Sequence, residues 1–442
     1  MHRTTRLVTA LGALAIVVGA CSGGSSPTPA ASNPAGSPAP STSAAPSDAA
    51  YPTADIKILY WTKEGADQFA FVEDQAAEYT KLHPNVTFEV VNKNVEVLRE
   101  DFQTASLAGE GPDLLWTVSD HVGVFTAADL IQPLDSIITA SNYVPGAIEA
   151  VTADGKLWGA PISFGNQLML YYNKSLAGDT APADSDAWIA SAKTLTDSAA
   201  GKYGIVFNQT ESFWLVPFLG GYGGSVYATD GVTPTLNTDA MKSALQFMYD
   251  LKYTDKVTPA EADYDVANTL FKDGKSAYII NGDWALGEYA AATDAEKPGL
   301  GDNLGLAPIP QITGADWPAP YVAGAFYMLP KALADNADKQ FVVTDFVNWA
   351  TANEQQTAMV TAYKRLPGNA TTFADPIVTG DPLLKIAADA ASKGVGTPTQ
   401  LSMRCVFDSM TAGVVKMFTG DSDIAGNAAT MQTSAETCIS QQ

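Results

Sequence analysis

Between Ile56 and Trp116, apolar runs of two periods alternate, and this order constrains the fold more than any other feature of the chain. Ile56-Lys57-Ile58-Leu59-Tyr60-Trp61 reads as a strand. Phe69, Val72, Ala76, Tyr79 and Leu82 then mark one face of a helix. His83-Pro84 ends that helix, because a proline ring pushes its predecessor out of the helical region. Val86 to Val91 is a second strand, and Val95, Leu98, Phe102 and Ala105 mark a second helix. Gly111-Pro112 breaks it before the strand Asp113-Leu114-Leu115-Trp116. Parallel strands need a crossover, so β-α-β-α-β predicts a parallel, helix-covered sheet.

The pattern restarts downstream. Strands are predicted at Gln167 to Tyr172, Tyr203 to Phe207 and Ser276 to Ile280, with helices around Trp188, Met241 to Tyr253 and Val266 to Lys272. Leu304 to Ile309 and Tyr321 to Leu329 read as short strands, and the chain is mostly helical from Asp335. The expected fold class is α/β with two lobes, the chain passing between them more than once. Pro and Gly place the passages near Pro161 to Gly165, Ala307 to Pro310 and Leu366 to Asn369. The expected lobes are 55–162 with 310–367, and 166–305 with 370–442.

The N-terminus has a different character. Arg3 and Arg6 precede a 14-residue apolar run, Leu7 to Ala20, which falls short of the roughly 20 residues of a membrane-spanning helix. Residues 1–21 read as an export signal. Val18-Gly19-Ala20-Cys21 resembles the bacterial lipobox, which implies cleavage before Cys21 and lipidation of it; the alternative is a plain secretory signal cut near Ala20. Residues 22–53 are almost entirely Ser, Pro, Ala, Gly and Thr, a composition that cannot bury a core and suits a tether. The chain is expected outside the cytoplasmic membrane, held to its outer face through the Cys21 lipid alone.

Charge and motifs exclude several chemistries. A net charge of −23 argues against a nucleic-acid partner. His2 falls in the export signal, which leaves His83 and His121 and rules out a His-rich zinc site; no metal or other cofactor is expected. Gly274-Lys275-Ser276 is not a P-loop, since Thr269 stands where the first Gly is required and a strand follows. Cys405 and Cys438 sit at the same end of an expected antiparallel helix hairpin that turns at Gly420, which favours a disulfide over two buried thiols.

Five segments resemble the extracellular solute-binding proteins of ABC sugar importers, in their maltose/maltodextrin-binding branch. They are 107–116 (Leu-Ala-Gly-Glu-Gly-Pro-Asp-Leu-Leu-Trp), 155–162 (Gly-Lys-Leu-Trp-Gly-Ala-Pro-Ile), Leu170-Tyr171-Tyr172-Asn173-Lys174, Phe207-Asn208-Gln209 with Trp214, and the run from Phe271 to Trp284. They occur in the family's order and spacing. The resemblance implies a two-lobed type II periplasmic-binding fold that the chain crosses about three times and that closes on a sugar by a hinge.

Ligands of open α/β sheets bind beyond the carboxyl ends of strands. Trp61, Trp116, Trp214 and Trp284 fall there or at a following helix start, where an indole face can stack on a sugar ring. Core packing is the alternative for each, and it is the reading given to Trp158, Trp188 and Trp349. By the resemblance, Trp284 is the main stacking platform, Glu211 and Phe213 supply an acid and an aromatic, and Asp120 binds hydroxyls. Lys63 and Glu64 stand where a charged pair is expected, and Tyr321 completes the set. Four departures qualify the carry-over. Asn166 lies where the family has an acid, Asp283 where Pro is common, His121 where it has Arg, and Arg404 near the position of a late stacking Trp. The implied function is non-catalytic: capture of an oligosaccharide such as a maltodextrin by a monomeric lipoprotein and its delivery to the permease subunits of an ABC importer. The alternatives are a surface glycoside hydrolase, which would need two carboxylates about 5–10 Å apart, and a receptor for a non-sugar solute.

Overall fold

The computed structural model describes residues 50–292 and 299–442. The export signal, Cys21 and nearly all of the tether lie outside the described residues. The folded body begins earlier than the tether composition suggests. Tyr51 stacks on His83 with ring centroids 4.1 Å apart, and its hydroxyl is 3.1 Å from that of Tyr79. Asn85 Nδ2 donates to the carbonyls of Pro52 and Ala54, at 3.0 and 2.8 Å.

Two main sheets are built from β1 (Ile56–Thr62), β2 (Val86–Asn92), β3 (Leu114–Val118), β4 (Ala160–Pro161), β5 (Leu168–Asn173), β6 (Tyr203–Val206), β7 (Ser276–Gly282), β8 (Leu304–Ala307) and β9 (Ala325–Met328). The first has the order β2-β1-β3-β9-β4 and the second β8-β5-β7-β6. β1, β2 and β3 are parallel, as the crossover pattern requires, with helices α1 (Ala66–Leu82) and α2 (Val95–Ala108) between them. β9 runs antiparallel to both β3 and β4, so the first sheet is mixed rather than parallel throughout. The reason is topological: β9 enters only after the chain has built all four strands of the second sheet and returns from it, rather than through a crossover within the first sheet.

β5 shows how the second sheet is held. All six of its residues are buried. Leu168, Leu170 and Tyr172 enter one apolar core, while Met169 and Tyr171 enter another on the opposite face. This is the two-residue alternation of a strand covered on both sides. Helices around this sheet and in the C-terminal hairpin start at side-chain caps. Asp263 accepts the Val266 N–H at 2.8 Å ahead of Tyr264–Lys272, and Asp423 accepts the Gly426 N–H at 2.9 Å ahead of Ile424–Ile439. Cys405 and Cys438 form a disulfide with Cα atoms 5.6 Å apart, joining Met403–Phe418 to Ile424–Ile439.

Three segments run side by side between the sheets. Gly165 bridges Ala323, and Ser163 bridges Pro367. Phe164 N–H donates to Leu366 O at 3.0 Å, and Ala323 N–H to Gly165 O at 2.7 Å. The expected strand Tyr321 to Leu329 is therefore two strands. Tyr321–Val322 pairs with Val395–Gly396, and β9 pairs in the first sheet. Between them Gly324 adopts φ +150°, and a Cβ there would collide with the Ser163 carbonyl oxygen. The second passage lies here rather than at Ala307 to Pro310. Ile309, Ile312 and Tyr321 pack in the core of the second sheet, so residues 310–321 travel with it and not with 325–367.

Candidate functional site

The carboxyl ends of β1 and β3 meet in a buried charge cluster. The Lys63 N–H donates to Trp116 O at 3.1 Å, which tethers the loop after β1 to β3. Glu64 Oε1 accepts from Lys63 Nζ at 2.8 Å, Trp116 Nε1 at 3.0 Å and Arg365 NH1 at 2.8 Å. Glu64 and Arg365 side chains are each 3% exposed. Burial alone would raise the Glu64 pKa, but Arg365 and then Lys63 hold it down to about 2. Trp116 is spent here: it is fully buried, its ring lies edge-on to Tyr327 and its indole N–H is on Glu64. Trp61 is buried too, with Lys93 Nζ 4.2 Å from its ring centre.

Opposite this cluster stands the turn after β7. Asp283 is buried, and its N–H continues the β5–β7 pairing by donating to Gln167 O at 3.1 Å. Trp284 is partly exposed. Its ring folds back over Gly282, where any Cβ would collide with it, and its Nε1 donates to Tyr264 Oη at 2.9 Å. Gly282 thus makes room for the Trp284 ring itself. Phe213 lies 6.2 Å from Trp284 and 6.3 Å from Tyr321, and Tyr321 lies 6.1 Å from Phe407. Phe213, Trp284 and Phe407 keep exposed surface, so the second lobe presents an aromatic wall. Trp214 supports it from behind, buried, with its N–H on Ile280 O at 2.9 Å.

The two sides touch directly. Gln68 Nε2 of α1 donates to Trp284 O at 2.7 Å, and Tyr363 Oη donates to Gln68 O at 3.1 Å. A second contact joins α3 (His121–Ala127) to residues 399–401, where a Cβ on Gly123 would collide with Thr399 O. A cavity of about 430 Å³ opens beside that contact, lined by Thr126, Asp154, Trp158, Thr399 and Gln400 among others. None of Phe213, Trp284 or Tyr321 lines it, so it is a rim feature and not the aromatic wall.

The remaining expected residues fall at different depths. Asp120 is half-buried at the start of α3, and His121 is fully buried with Nδ1 2.7 Å from Thr117 Oγ1. Asn166 is half-buried in the first passage at φ +63°. Glu211 is exposed at the start of the turn that carries Phe213. Arg404 pairs with Asp408 at 2.6 Å along its own helix, while Phe407, less than one turn further on, joins the aromatic wall. Sequence reasoning missed Phe407, Tyr264, Gln68 and Arg365. Only Arg365 carried a signal, a cation directly before the Leu366-Pro367 passage. Among the described residues no group of three or more His, Cys, Asp or Glu is placed to hold a metal ion, and no helix is long and apolar enough to cross a membrane.

Comparison with known proteins gives the fold its family. The model of the bacterial extracellular solute-binding protein family matches residues 74–386. The maltotriose-binding protein of Pyrococcus abyssi is 25% identical over 367 residues, covering 81% of this chain and 76% of that one. The galactooligosaccharide-binding protein of Bacillus subtilis is 27% identical over 269 residues, covering 58% of this chain and 60% of that one. Among solved structures, the maltose/maltodextrin-binding domain of Bdellovibrio bacteriovorus bound to maltotriose is 31% identical, with a TM-score of 0.80 over 87% of this chain and 100% of that chain. The mixed two-sheet architecture, the three passages and a family match over most of the folded body agree: the chain belongs to the bacterial extracellular solute-binding proteins and has their two-lobed, type II fold.

Proposed function

We propose that this protein captures an oligosaccharide of the maltodextrin type between its lobes and delivers it to the permease subunits of an ABC importer. The observation that carries the reading is the aromatic wall of Phe213, Trp284 and Phe407 at the carboxyl end of β7, held opposite the Lys63–Glu64–Arg365 cluster. Flat aromatic surface suits the apolar faces of pyranose rings, and polar groups at its edge suit their hydroxyls. The relatives' sugars point the same way. A ligand touching both lobes stabilises the closed arrangement, and that population shift is the whole mechanism. The protein acts as a monomer and catalyses nothing: of the two buried acids here, Glu64 is consumed by Arg365, Lys63 and Trp116, and Asp283 lies beneath the turn.

The lobes of this reading are 55–162 with 325–367, and 166–322 with 370–442. Trp284 is the stacking platform, with Asp120, Glu211 and Asn166 at hydroxyl-binding positions. The lipobox resemblance makes the protein a lipoprotein anchored by Cys21 to the outer face of the cytoplasmic membrane. Two experiments test the reading. Saturating maltotriose, at about 100 times its dissociation constant, raises stability by about 2.7 kcal/mol; a panel of maltose, maltotriose, maltotetraose and galactooligosaccharides that leaves melting unchanged refutes it. Cys21→Ser releases the protein from the membrane fraction, and retention in the pellet refutes the anchor.

A further inference from the structure

Two buried acceptor oxygens, Asp283 Oδ2 and Gln167 Oε1, border the same small space at the end of β7. Asp283 Oδ2 and Gln167 Oε1 are both buried, and among the described residues neither has a hydrogen-bond partner. Leu168 pairs with Gly282, so Gln167 and Asp283 are the next cross-strand pair in this antiparallel ladder. Both oxygens lie under 3.0 Å from one point, the place a Cβ would take on Gly165. Gly165 leaves that space open. Reversing the Gln167 amide does not resolve the conflict, because its Nε2 donates to Ala387 O at 2.9 Å and must stay where it is. A carbonyl oxygen and a carboxylate oxygen cannot bond without a shared proton.

We propose that Asp283 is held as the neutral acid and donates its proton to Gln167 Oε1, pinning the end of β7 to the first passage and thereby positioning Trp284. One proton satisfies both orphaned oxygens, and it is drawn from solvent as the site assembles. Burial favours the neutral form; Arg365, the Asn166 backbone N–H and Lys63 favour the carboxylate, and Glu64 opposes it, leaving the carboxyl raised above its ordinary value. Arg365 spends NH1 on Glu64. Tyr171 also faces the acid, is fully buried and donates to Gly282 O at 2.7 Å. Asp283 is in this account a positioning residue beneath Trp284 and not a sugar ligand, which rests on the sugar-receptor reading only for what Trp284 does.

The test needs no sugar for its first arm. Infrared difference spectra of the unliganded protein against Asp283→Asn at neutral pH show a carboxylic-acid C=O band, and Gln167→Leu moves that band to higher frequency as the acid loses its acceptor. No band, or a band that Gln167→Leu leaves in place, overturns the proposal. Melting supplies a second arm. A raised carboxyl pKa makes the wild type lose stability relative to Asp283→Asn as pH rises from the unfolded value of about 3.9. The Asn variant, whose amide N–H replaces the acid proton, therefore melts at or above wild type with a gap that widens with pH. Melting below wild type at neutral pH would instead mean an ionised partner of Arg365 and would overturn the proposal. In the third arm maltotriose affinity falls in Asp283→Ala and is restored in Asp283→Asn; equal loss in both means the carboxylate touches the sugar and overturns it. Absence of maltotriose binding in the wild type refutes the receptor reading while leaving the infrared result standing.

Discussion

Replacing Arg365 by Met removes one charge from the most deeply buried ion pair at the site while keeping most of the side-chain volume. Arg365 and Glu64 are 2.8 Å apart, each 3% exposed, and join the third passage to the loop after β1. Removing one partner of such a pair costs about 3–5 kcal/mol, because the other charge is left buried. Lys63 and Trp116 continue to donate to Glu64, which places the cost near the lower end, about 3 kcal/mol. With an unfolding entropy of about 2.1 cal/mol/K per residue over the body Tyr51–Gln442, that is a fall in melting temperature of roughly 4 °C at pH 7. The pH dependence follows from Glu64. Its folded pKa of about 2 lies below its ordinary value of 4.5, so its contribution is fully present above about pH 4.5 and is lost as pH falls through about 2. The gap between wild type and Arg365→Met narrows across that window. Melting curves of Arg365→Met, Glu64→Gln and the double variant form a cycle, in which the double variant is markedly less destabilised than the sum of the singles. A loss under about 1 °C for Arg365→Met, or strict additivity, refutes the claim that this pair is energetically coupled.

Trp284→Ala loses most of the maltotriose-induced stabilisation while costing less than the roughly 3–5 kcal/mol of a fully buried Trp, since the ring is partly exposed; paired melting of free and sugar-saturated variant checks both, and an undiminished sugar response makes Trp284 a core residue. Reducing Cys405–Cys438, or replacing both by Ser, opens a crosslink with a sequence separation of 33 and costs about 3–4 kcal/mol in the loop-entropy account; denaturant unfolding with and without reductant measures it. Gly324→Ala puts a Cβ against the Ser163 carbonyl at φ +150° and lowers the melting temperature even with no ligand present, whereas the same change at Gly155, with nothing within 4 Å, costs only its φ of +71°.

The periodic parts of the fold were legible because each strand buries a regular pattern. β1, β2, β3, β5, β6 and β7 lie within two residues of their expected ends. The passages were legible only in part. Pro161, Gly165 and Pro367 mark two of them by composition. At the third, Pro308 and Pro310 carried the same signal but sit within the second lobe, with Ile309 and Ile312 packed in its core. What sets the true passage is one backbone angle at Gly324 and its approach to Ser163, which no propensity encodes. Tyr51 was hidden for the converse reason. A single aromatic among Ala and Pro reads as tether until the groove between Tyr79 and His83 exists to receive it.

The site separates aromatic residues by what their polar edges do. Five residues expected at the site lie in one neighbourhood: Phe213, Trp284 and Tyr321 in ring contact, Trp214 buried behind them and Asp283 buried in the turn that carries Trp284. In the sequence Trp116 and Trp284 both stand where an apolar run ends, but Trp116 lies inside β3 and Trp284 in the turn after β7, and their indole N–H groups turn to different places. The difference lies in long-range partners. Trp116 Nε1 is drawn inward by Glu64, a charge that Arg365 fixes from 301 residues away in sequence. Trp284 Nε1 is turned to Tyr264 on its own lobe, leaving part of the ring exposed. The same charge pair therefore buries one indole and braces the surface opposite the other. If Glu64 loses its hold on Trp116, the first lobe gains a loose aromatic side chain while the wall of the second lobe is untouched. Tryptophan fluorescence of Glu64→Leu, which removes the acceptor, should then report greater solvent access than wild type, with the maltotriose response of Trp284 retained; a spectrum identical to wild type would mean that the packing against Tyr327 alone holds Trp116 in place.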